Sequence, residues 1–391
     1  MDYDHNLYKL AQEKFVFSGH GFWSVGNNFV TTNKVEAIQE ANRRNLHIEW
    51  NFNQDILDKV DWFQEPQVDL YELYKQRALQ IREKFDYLVL LFSGGSDSVC
   101  ILKTFLENNI PLEEIHTTGW LDKHVDMNHV HNAEMQFSKT GMPLVKEAQS
   151  KGYNFVFYNF YEDFKHANEN INEEWFLNAD NRLCIDDPVK EPWWTGKPWQ
   201  HLIDKGVNVG LIVGYEKPRV FIKDGYFTIG FLDNNPNNVY RRMYQRNVWT
   251  GIKQEWFFRS PDMPQLIQKS IHMIANYYLD LYKDRLEILP LVLTHTAGFN
   301  TDNYYKIIND VLYDRYWNSK EAFNLGKPNG NLFGPKWEFM HEHYKESNYY
   351  KTLVGARNEL FRDIGSKWIN STNDLGGNWS KMYPFKRFDI K

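Results

Sequence analysis

The sequence predicts an α/β fold in which helices cover both faces of a doubly wound, Rossmann-like parallel sheet. The first observation is an apolar run at residues 87–92, with the length and composition of a strand that is buried on both faces. The second is the following segment, where apolar residues recur at helical spacing from Val99 to Leu106. The third is the alternation of apolar runs with helical patterns up to about residue 235, which is typical of parallel sheets.

The same patterns predict the other elements of this core. A helix leads directly into the first strand, and further strands are expected at residues 114–117, 154–158 and 209–213, the last of which closes the set. A helix is expected at residues 142–151, and Asp224 and Gly225 mark the turn of a hairpin. The apolar face of the leading helix comprises Leu70, Leu73, Tyr74, Ala78 and Ile81.

Three regions are predicted along the chain. Residues 1–68 form an N-terminal preface with one helix at 33–45, and residues 69–235 form the α/β core. Residues 236–391 form a helical C-terminal region, with a helix from Pro264 that is capped by residues 260–262, and further helices at 303–323 and 348–363. The last sixteen residues, 376–391, are either a disordered end or a strap that returns to the core.

The turn after the first core strand carries the strongest chemical signal. Gly94 and Gly95 permit positive φ and leave room for a ligand beside the backbone. Asp97 and Ser98 then open a helix, whose N-terminal N–H groups and positive dipole end favour an anion. The alternative is a glycine-rich turn without a ligand. The loop consists of Ser93, Gly94, Gly95, Ser96, Asp97 and Ser98.

This strand, loop and helix resemble the SGGxDS signature of the PP-loop ATP pyrophosphatases, a superfamily that includes asparagine, GMP and NAD synthetases and phosphoadenosine phosphosulfate reductases. The resemblance covers about residues 70–235. It implies an adenine nucleotide alpha hydrolase-like fold and an ATP site that cleaves between the α- and β-phosphates. It also implies that the loop residues bind the pyrophosphate part of ATP. Mg²⁺ would arrive with the triphosphate, with Asp97 as its expected protein ligand.

Two other strand ends supply candidate residues, because ligands of parallel sheets bind at the carboxyl ends of the strands. Thr117, Thr118 and Gly119 end the second strand, where they would meet adenine or ribose, although an ordinary strand exit reads equally well. At the end of the later strand, the resemblance implies a phosphate-side role for Gly214, and we expect Lys217 and Arg219 to stabilise charge as pyrophosphate leaves.

Composition limits the class of protein. The chain has 391 residues, 42% of them hydrophobic and 25% charged, with no apolar stretch of membrane-spanning length and no basic, apolar leader, so a cytoplasmic protein is expected. The net charge of −6 argues against nucleic-acid binding by bulk attraction. A local contact through Arg241, Arg242 and Arg246 among aromatic residues is the one nucleic-acid hypothesis, against the alternative of a solvated helix.

The histidine-rich segment 120–131 offers a cluster that could hold a metal, comprising Asp122, His124, Asp126, His129 and His131. The alternative of solvent-facing side chains is favoured, because the spacing of the cluster matches no closed metal site. Cys100 is expected to be buried on the loop helix, which leaves Cys184 as the other cysteine of the chain. The resemblance implies an adenylating enzyme, and its thiolating and sulfur-reducing relatives depend on cysteines outside the loop. We therefore expect the ligase type, which activates an acceptor oxygen for attack by a nitrogen nucleophile. The alternatives are a reductase or sulfur-transfer enzyme that depends on Cys184, and a non-catalytic module that binds nucleotides or nucleic acid.

Overall fold

A computed structural model describes residues 5–14, 21–31, 34–119, 137–159, 199–214, 218–231, 252–293, 301–317, 346 and 379–388. Ten α-helices are described in these ranges, together with a π-helical turn at Phe137–Gly141 and a 3₁₀ turn at Leu286–Ile288. The helices are α1 His5–Lys14, α2 Lys34–Arg44, α3 Gln54–Leu57, α4 Leu70–Lys84, α5 Ser96–Glu107, α6 Met142–Ser150, α7 Gln200–Ile203, α8 Pro264–Leu281, α9 Leu289–Val292 and α10 Thr301–Leu312.

Eleven strands are described, and they form three sheets. The strands are β1 Phe22–Val25, β2 Phe29–Thr31, β3 Ile48–Asn51, β4 Tyr87–Leu91, β5 Glu114–Gly119, β6 Phe155–Asn159, β7 Val209–Val213, β8 Arg219–Lys223, β9 Tyr226–Gly230, β10 Lys253–Trp256 and β11 Tyr383–Arg387.

The central sheet has five parallel strands in the order β10-β7-β4-β5-β6 and is flanked by helices. The predicted α/β class with a parallel sheet is therefore confirmed, and this sheet is compatible with a Rossmann-like fold. Strand β4 is central, and Leu88, Val89 and Leu90 are fully buried, as its unbroken apolar run predicts. The expectation that residues 209–213 close the sheet is wrong. Strand β10 pairs with β7 and extends the sheet past residue 235.

Two short antiparallel sheets accompany the central one. The predicted hairpin is confirmed: β8 pairs with β9, and Asp224 and Gly225 both have positive φ, at 51° and 78°, as a two-residue primed turn requires. Strand β11 pairs with β9, so residues 383–387 return to the core, which was one of the two alternatives predicted for the last residues of the chain. Strands β2-β1-β3 form the third sheet, which the sequence analysis did not predict.

One hydrophobic core connects the three predicted regions. The preface contributes Trp23 and Phe52, and the Phe52 ring stacks on Phe231 with centroids 4.6 Å apart. The C-terminal region contributes Phe385 and much of α8 to the same core. The predicted cap of α8 is wrong, because Met263 occupies the cap position without a side-chain hydrogen bond, and the Ser260 hydroxyl accepts instead from the Asp262 N–H.

None of the helices in the described ranges has the length and apolar composition needed to cross a membrane. Helix α4 begins at Leu70, where the Asp69 carboxylate accepts hydrogen bonds from the N–H groups of Tyr71 and Glu72. Its buried face contains every apolar residue predicted for it, and in addition Arg77. The helix thus runs directly into the strand that leads to the candidate loop.

Candidate functional site

The loop at residues 93–95 lies where the strand order of the central sheet reverses. The chain proceeds from β4 to β5 and β6 on one side, then returns to place β7 and β10 on the other side of β4. The loop leaves the carboxyl end of β4 and leads directly into α5. In open parallel sheets, ligands bind outside the carboxyl ends of the strands at such a switch point. The candidate site is therefore built around this loop.

Close backbone packing explains the first glycine of the loop. Gly94 has a φ of +74°, and a Cβ atom at this position would lie 3.1 Å from the Cα of Phe137 and 3.2 Å from the Cα of Gly141. The π-helical turn before α6 therefore covers the loop so closely that Gly94 needs both its positive φ and its missing side chain.

The second glycine has a different conformation from the first. Gly95 has φ −79° and ψ 165°, which is extended backbone, so of the two glycines that permit positive φ only Gly94 adopts it. Gly95 is the N-cap residue of α5, and its carbonyl accepts the first intrahelical hydrogen bond from the Val99 N–H. The first N–H groups of a helix have no carbonyl one turn before them, and here they face the switch point.

Hydroxyl groups hold the loop together. The Ser98 hydroxyl donates to the Gly95 carbonyl at 3.1 Å and accepts from the Ser93 N–H at 3.3 Å. The Ser93 hydroxyl accepts from the Gly95 N–H at 3.3 Å. Ser98 is buried and Ser93 is exposed, while Ser96 and Asp97 are half-buried. Ser98 thus fixes the loop from inside, and the other residues present their polar groups at its surface.

Gly214 directly follows β7 and lies against the first turn of α5. A Cβ atom at Gly214 would be 3.0 Å from Ile101 Cδ1, 3.1 Å from the Ser98 nitrogen and 3.2 Å from the Asp97 carbonyl carbon. The structure therefore brings this predicted residue to the loop. Its missing side chain lets the end of β7 approach the helix terminus.

The three predicted residues at the end of β5 lie at the same edge of the sheet. Thr117 is buried, and its hydroxyl donates to the carbonyl of Phe92 at 2.7 Å. This hydrogen bond holds the end of β4 beside β5, and the predicted contact of Thr117 with adenine or ribose stays a prediction. Thr118 and Gly119 are the last two residues of β5.

The two predicted cations have different outcomes. Lys217 lies outside the described residues. Arg219 begins β8 and is buried, with its guanidinium carbon 5.7 Å from the centroid of the Trp379 ring. A role for either residue in stabilising a leaving pyrophosphate stays a prediction.

A tyrosine from the C-terminal region completes the site. The Tyr313 hydroxyl donates to Asp97 Oδ1 at 2.7 Å, and the Tyr313 side chain is fully buried. Burial and the nearby Asp97 carboxylate raise the pKa of Tyr313 well above its usual value of 10, so the phenol stays a proton donor at neutral pH. Sequence reasoning missed Tyr313, because no local pattern links two residues that are 216 positions apart.

A buried polar cluster on β5 was also missed. Glu114 and His116 lie on one face of the strand, with Glu114 Oε1 2.6 Å from His116 Nδ1. Glu114 Oε2 accepts from Trp199 Nε1 at 3.1 Å and from the Tyr87 hydroxyl at 3.0 Å. Burial works to raise the pKa of Glu114, but the hydrogen bonds from His116, Trp199 and Tyr87 outweigh it and hold this pKa below its usual value.

This lowered pKa predicts an acid-sensitive contribution to stability. Because the fold favours ionised Glu114, the stabilisation is fully present above pH 4.5, the group's usual pKa, and is lost as pH falls further. We expect Glu114→Gln to lower the free energy of unfolding at pH 7 by about 1–3 kcal/mol. We also expect the variant to lose less stability than the wild type between pH 4.5 and pH 3. Urea unfolding across this range measures both, and parallel pH profiles would contradict the prediction.

The metal expectations fall into two parts. Within the described ranges, no group of three or more His, Cys, Asp and Glu side chains is arranged to hold a metal ion. Asp97 is the carboxylate of the loop itself, and one carboxylate suits a magnesium ion that keeps most of its water and phosphate ligands.

Three predicted features lie outside the described residues. They are the histidine-rich segment 120–131, Cys184, and the basic residues Arg241, Arg242 and Arg246. Cys100 is buried on α5, as predicted.

Comparisons with known proteins add no identification to this geometry. No protein-family model matches the chain, and no curated protein matches its sequence.

Proposed function

We propose that the chain is an ATP pyrophosphatase of the PP-loop type, with an adenine nucleotide alpha hydrolase-like core, that adenylates an acceptor. The observation that carries this proposal is the loop of residues 93–98 at the switch point between β4 and β7, where the SGGSDS sequence opens helix α5. A helix N-terminus at such a position favours the phosphates of a nucleotide through its N–H groups and its dipole. The glycines at 94 and 214 support the proposal, because each leaves out a side chain that would collide with the loop or its cover.

In this proposal the loop and the two predicted cations have separate roles. The N–H groups of the first turn of α5 hold the pyrophosphate part of ATP, and Gly94 lets the loop pack under the turn at Phe137–Gly141. The Asp97 carboxylate meets the Mg²⁺ ion that accompanies the triphosphate. Lys217 and Arg219 neutralise charge on the leaving pyrophosphate.

The proposed reaction has two steps. An acceptor oxygen attacks the α-phosphorus of ATP, the bond between that phosphorus and the bridging oxygen breaks, and pyrophosphate leaves. A nitrogen nucleophile then attacks the activated acceptor, AMP leaves with the acceptor oxygen, and the nucleophile gives up a proton. The burial of Cys100 supports nitrogen rather than sulfur as the nucleophile, because a thiol enclosed in an apolar helix face is poorly placed to attack.

Product analysis tests this proposal. The full chain is incubated with Mg²⁺, ammonia, a panel of carboxylate and nucleoside acceptors, and ATP labelled at either the α- or the γ-phosphate. We expect the α label in AMP and the γ label in pyrophosphate, both dependent on one acceptor. Binding of α,β-methylene-ATP is measured by calorimetry in parallel, since this analogue cannot be cleaved at the proposed bond and needs no acceptor.

The outcomes separate the alternatives. Release of ADP and phosphate, or no nucleotide binding at all, would contradict the proposal. Binding without AMP formation would indicate a non-catalytic nucleotide-binding module. AMP formation that disappears in a folded Cys184→Ser variant would indicate sulfur chemistry.

A further inference from the structure

The segment that follows α10 lies along the whole length of the loop helix. We call residues 312–317 the α10 strap. At the first turn of α5, Asp97 accepts the hydrogen bond from Tyr313, and in the middle of the helix Lys103 Nζ donates to the Tyr316 carbonyl at 2.9 Å. The strap therefore follows α5 from the candidate site towards the opposite end of the helix.

The far end of the strap is held to the last turn of α5. Glu107 Oε2 accepts from Arg315 Nη2 at 2.6 Å and from the Tyr316 hydroxyl at 3.1 Å. Two charged or polar groups thus fix the strap at a point about three turns of helix away from Asp97.

Helix α4 holds the strap from a second direction. The Tyr74 hydroxyl donates to the Leu312 carbonyl at 3.1 Å, and the Tyr71 hydroxyl donates to Asp314 Oδ1 at 2.6 Å. The strap is therefore fixed at several points on two helices, and the position of the Tyr313 hydroxyl is set by this frame.

The chemistry of the Tyr313 contact differs from that of packing alone. The ring of Tyr313 lies 5.4 Å from Phe258 and 6.4 Å from Tyr74, measured between centroids, and a phenylalanine would fill this space equally well. The chain instead places a hydroxyl here, directed at the charged residue of the loop. A hydrogen bond to an ionised carboxylate is strong and directional, so it orients as well as stabilises.

We propose that Tyr313 is a positioning residue for nucleotide binding: its hydroxyl holds the Asp97 carboxylate in the orientation that meets the Mg²⁺ ion of bound ATP. This inference rests on the proposed ATP site and assigns to the C-terminal region a part in that site. If Tyr313 has this role, the effect of Mg²⁺ on nucleotide affinity depends on one phenolic hydroxyl that is 216 positions away from Asp97 in the sequence.

The readout is the gain in affinity for α,β-methylene-ATP that MgCl₂ produces over EDTA, measured by calorimetry on the full chain. We expect Tyr313→Phe to reduce this gain by roughly tenfold, the scale of one hydrogen bond to a charged group, while affinity in EDTA changes little. A purely structural role for Tyr313 predicts equal losses in both conditions. Tyr383→Phe is the matched control, because it removes a buried phenolic hydroxyl that donates to a different carboxylate, Asp58 Oδ1, at 2.9 Å and is not part of the strap. This variant should keep the wild-type gain.

A double-mutant cycle tests whether Tyr313 acts through Asp97. Asp97→Asn and the combined Asp97→Asn, Tyr313→Phe variant should show the same residual Mg²⁺ effect, because the hydroxyl has no carboxylate left to position. Additive losses, or a Tyr313→Phe protein with the wild-type Mg²⁺ gain, would overturn the positioning role alone. A wild-type chain that binds no nucleotide would overturn the proposed function, and the positioning role with it.

Discussion

Replacing Gly94 with alanine is expected to remove nucleotide binding while the chain stays folded. The new Cβ atom would have to accept a φ of +74° and would lie 3.1 Å from the Phe137 Cα and 3.2 Å from the Gly141 Cα. Both neighbours are backbone atoms, so they cannot turn aside as the end of a side chain would. The loop must move, and the N–H groups at the start of α5 lose their common direction. We expect affinity for α,β-methylene-ATP to fall by about 100-fold or more, which corresponds to about 2.7 kcal/mol.

The matched control is Gly225→Ala in the hairpin turn. Gly225 has nearly the same backbone conformation, with a φ of +78°, but nothing lies within 4 Å of its would-be Cβ atom. Both variants therefore carry the conformational cost of an L residue at positive φ, about 1–2 kcal/mol. Calorimetry should find wild-type affinity in Gly225→Ala. Equal affinities in the two variants would show that the loop is not the nucleotide site.

The choice of Gly94 shows how far sequence reasoning reaches at this loop. The strand, the two glycines and the helix all follow from local patterns, because hydrophobic periodicity and glycine spacing act over a few residues. Which glycine adopts positive φ depends instead on the turn at Phe137–Gly141, which packs on Gly94 from about forty residues away. Local sequence therefore predicts the loop, and tertiary packing decides its strained position.

Long-range pairing explains the other omissions. Strand β10 has the sequence KQEW, in which one apolar residue follows three polar ones, so no local pattern distinguishes it from a loop, and its place beside β7 follows from tertiary contacts. In the sequence Glu114 and His116 are only polar residues of a short strand, since their partner Trp199 is 85 positions away from Glu114. Tyr313 was missed for the same reason, because the role of its buried hydroxyl is recognised only when its acceptor, Asp97, is known.

Removing the buried Arg77 side chain should have the largest effect on stability. Its side chain is fully buried on α4, where Nη2 donates to Glu255 at 2.8 Å and to the Trp256 carbonyl at 2.6 Å. Nη1 donates to Gln80 at 2.6 Å. These bonds attach the edge strand β10 to the helix that precedes β4. We expect Arg77→Ala to lower the free energy of unfolding by about 3–5 kcal/mol, because the half-buried Glu255 carboxylate and the Trp256 carbonyl lose the Arg77 donor and a cavity remains.

Urea denaturation of Arg77→Ala, Arg77→Met and Lys75→Ala measures this contribution. Arg77→Met keeps most of the buried volume, so its deficit relative to the wild type isolates the lost hydrogen bonds from the cavity. Lys75 lies on the same helix in an exposed ion pair with Glu72, at 3.7 Å, and its removal should change stability by less than about 0.5 kcal/mol. If Arg77→Ala were as mild as Lys75→Ala, Arg77 would not be the residue that anchors β10 to α4. If Arg77→Ala lowers the free energy of unfolding strongly and Arg77→Met recovers most of that loss, the packing of the Arg77 side chain, and not its charged hydrogen bonds, holds β10 to α4.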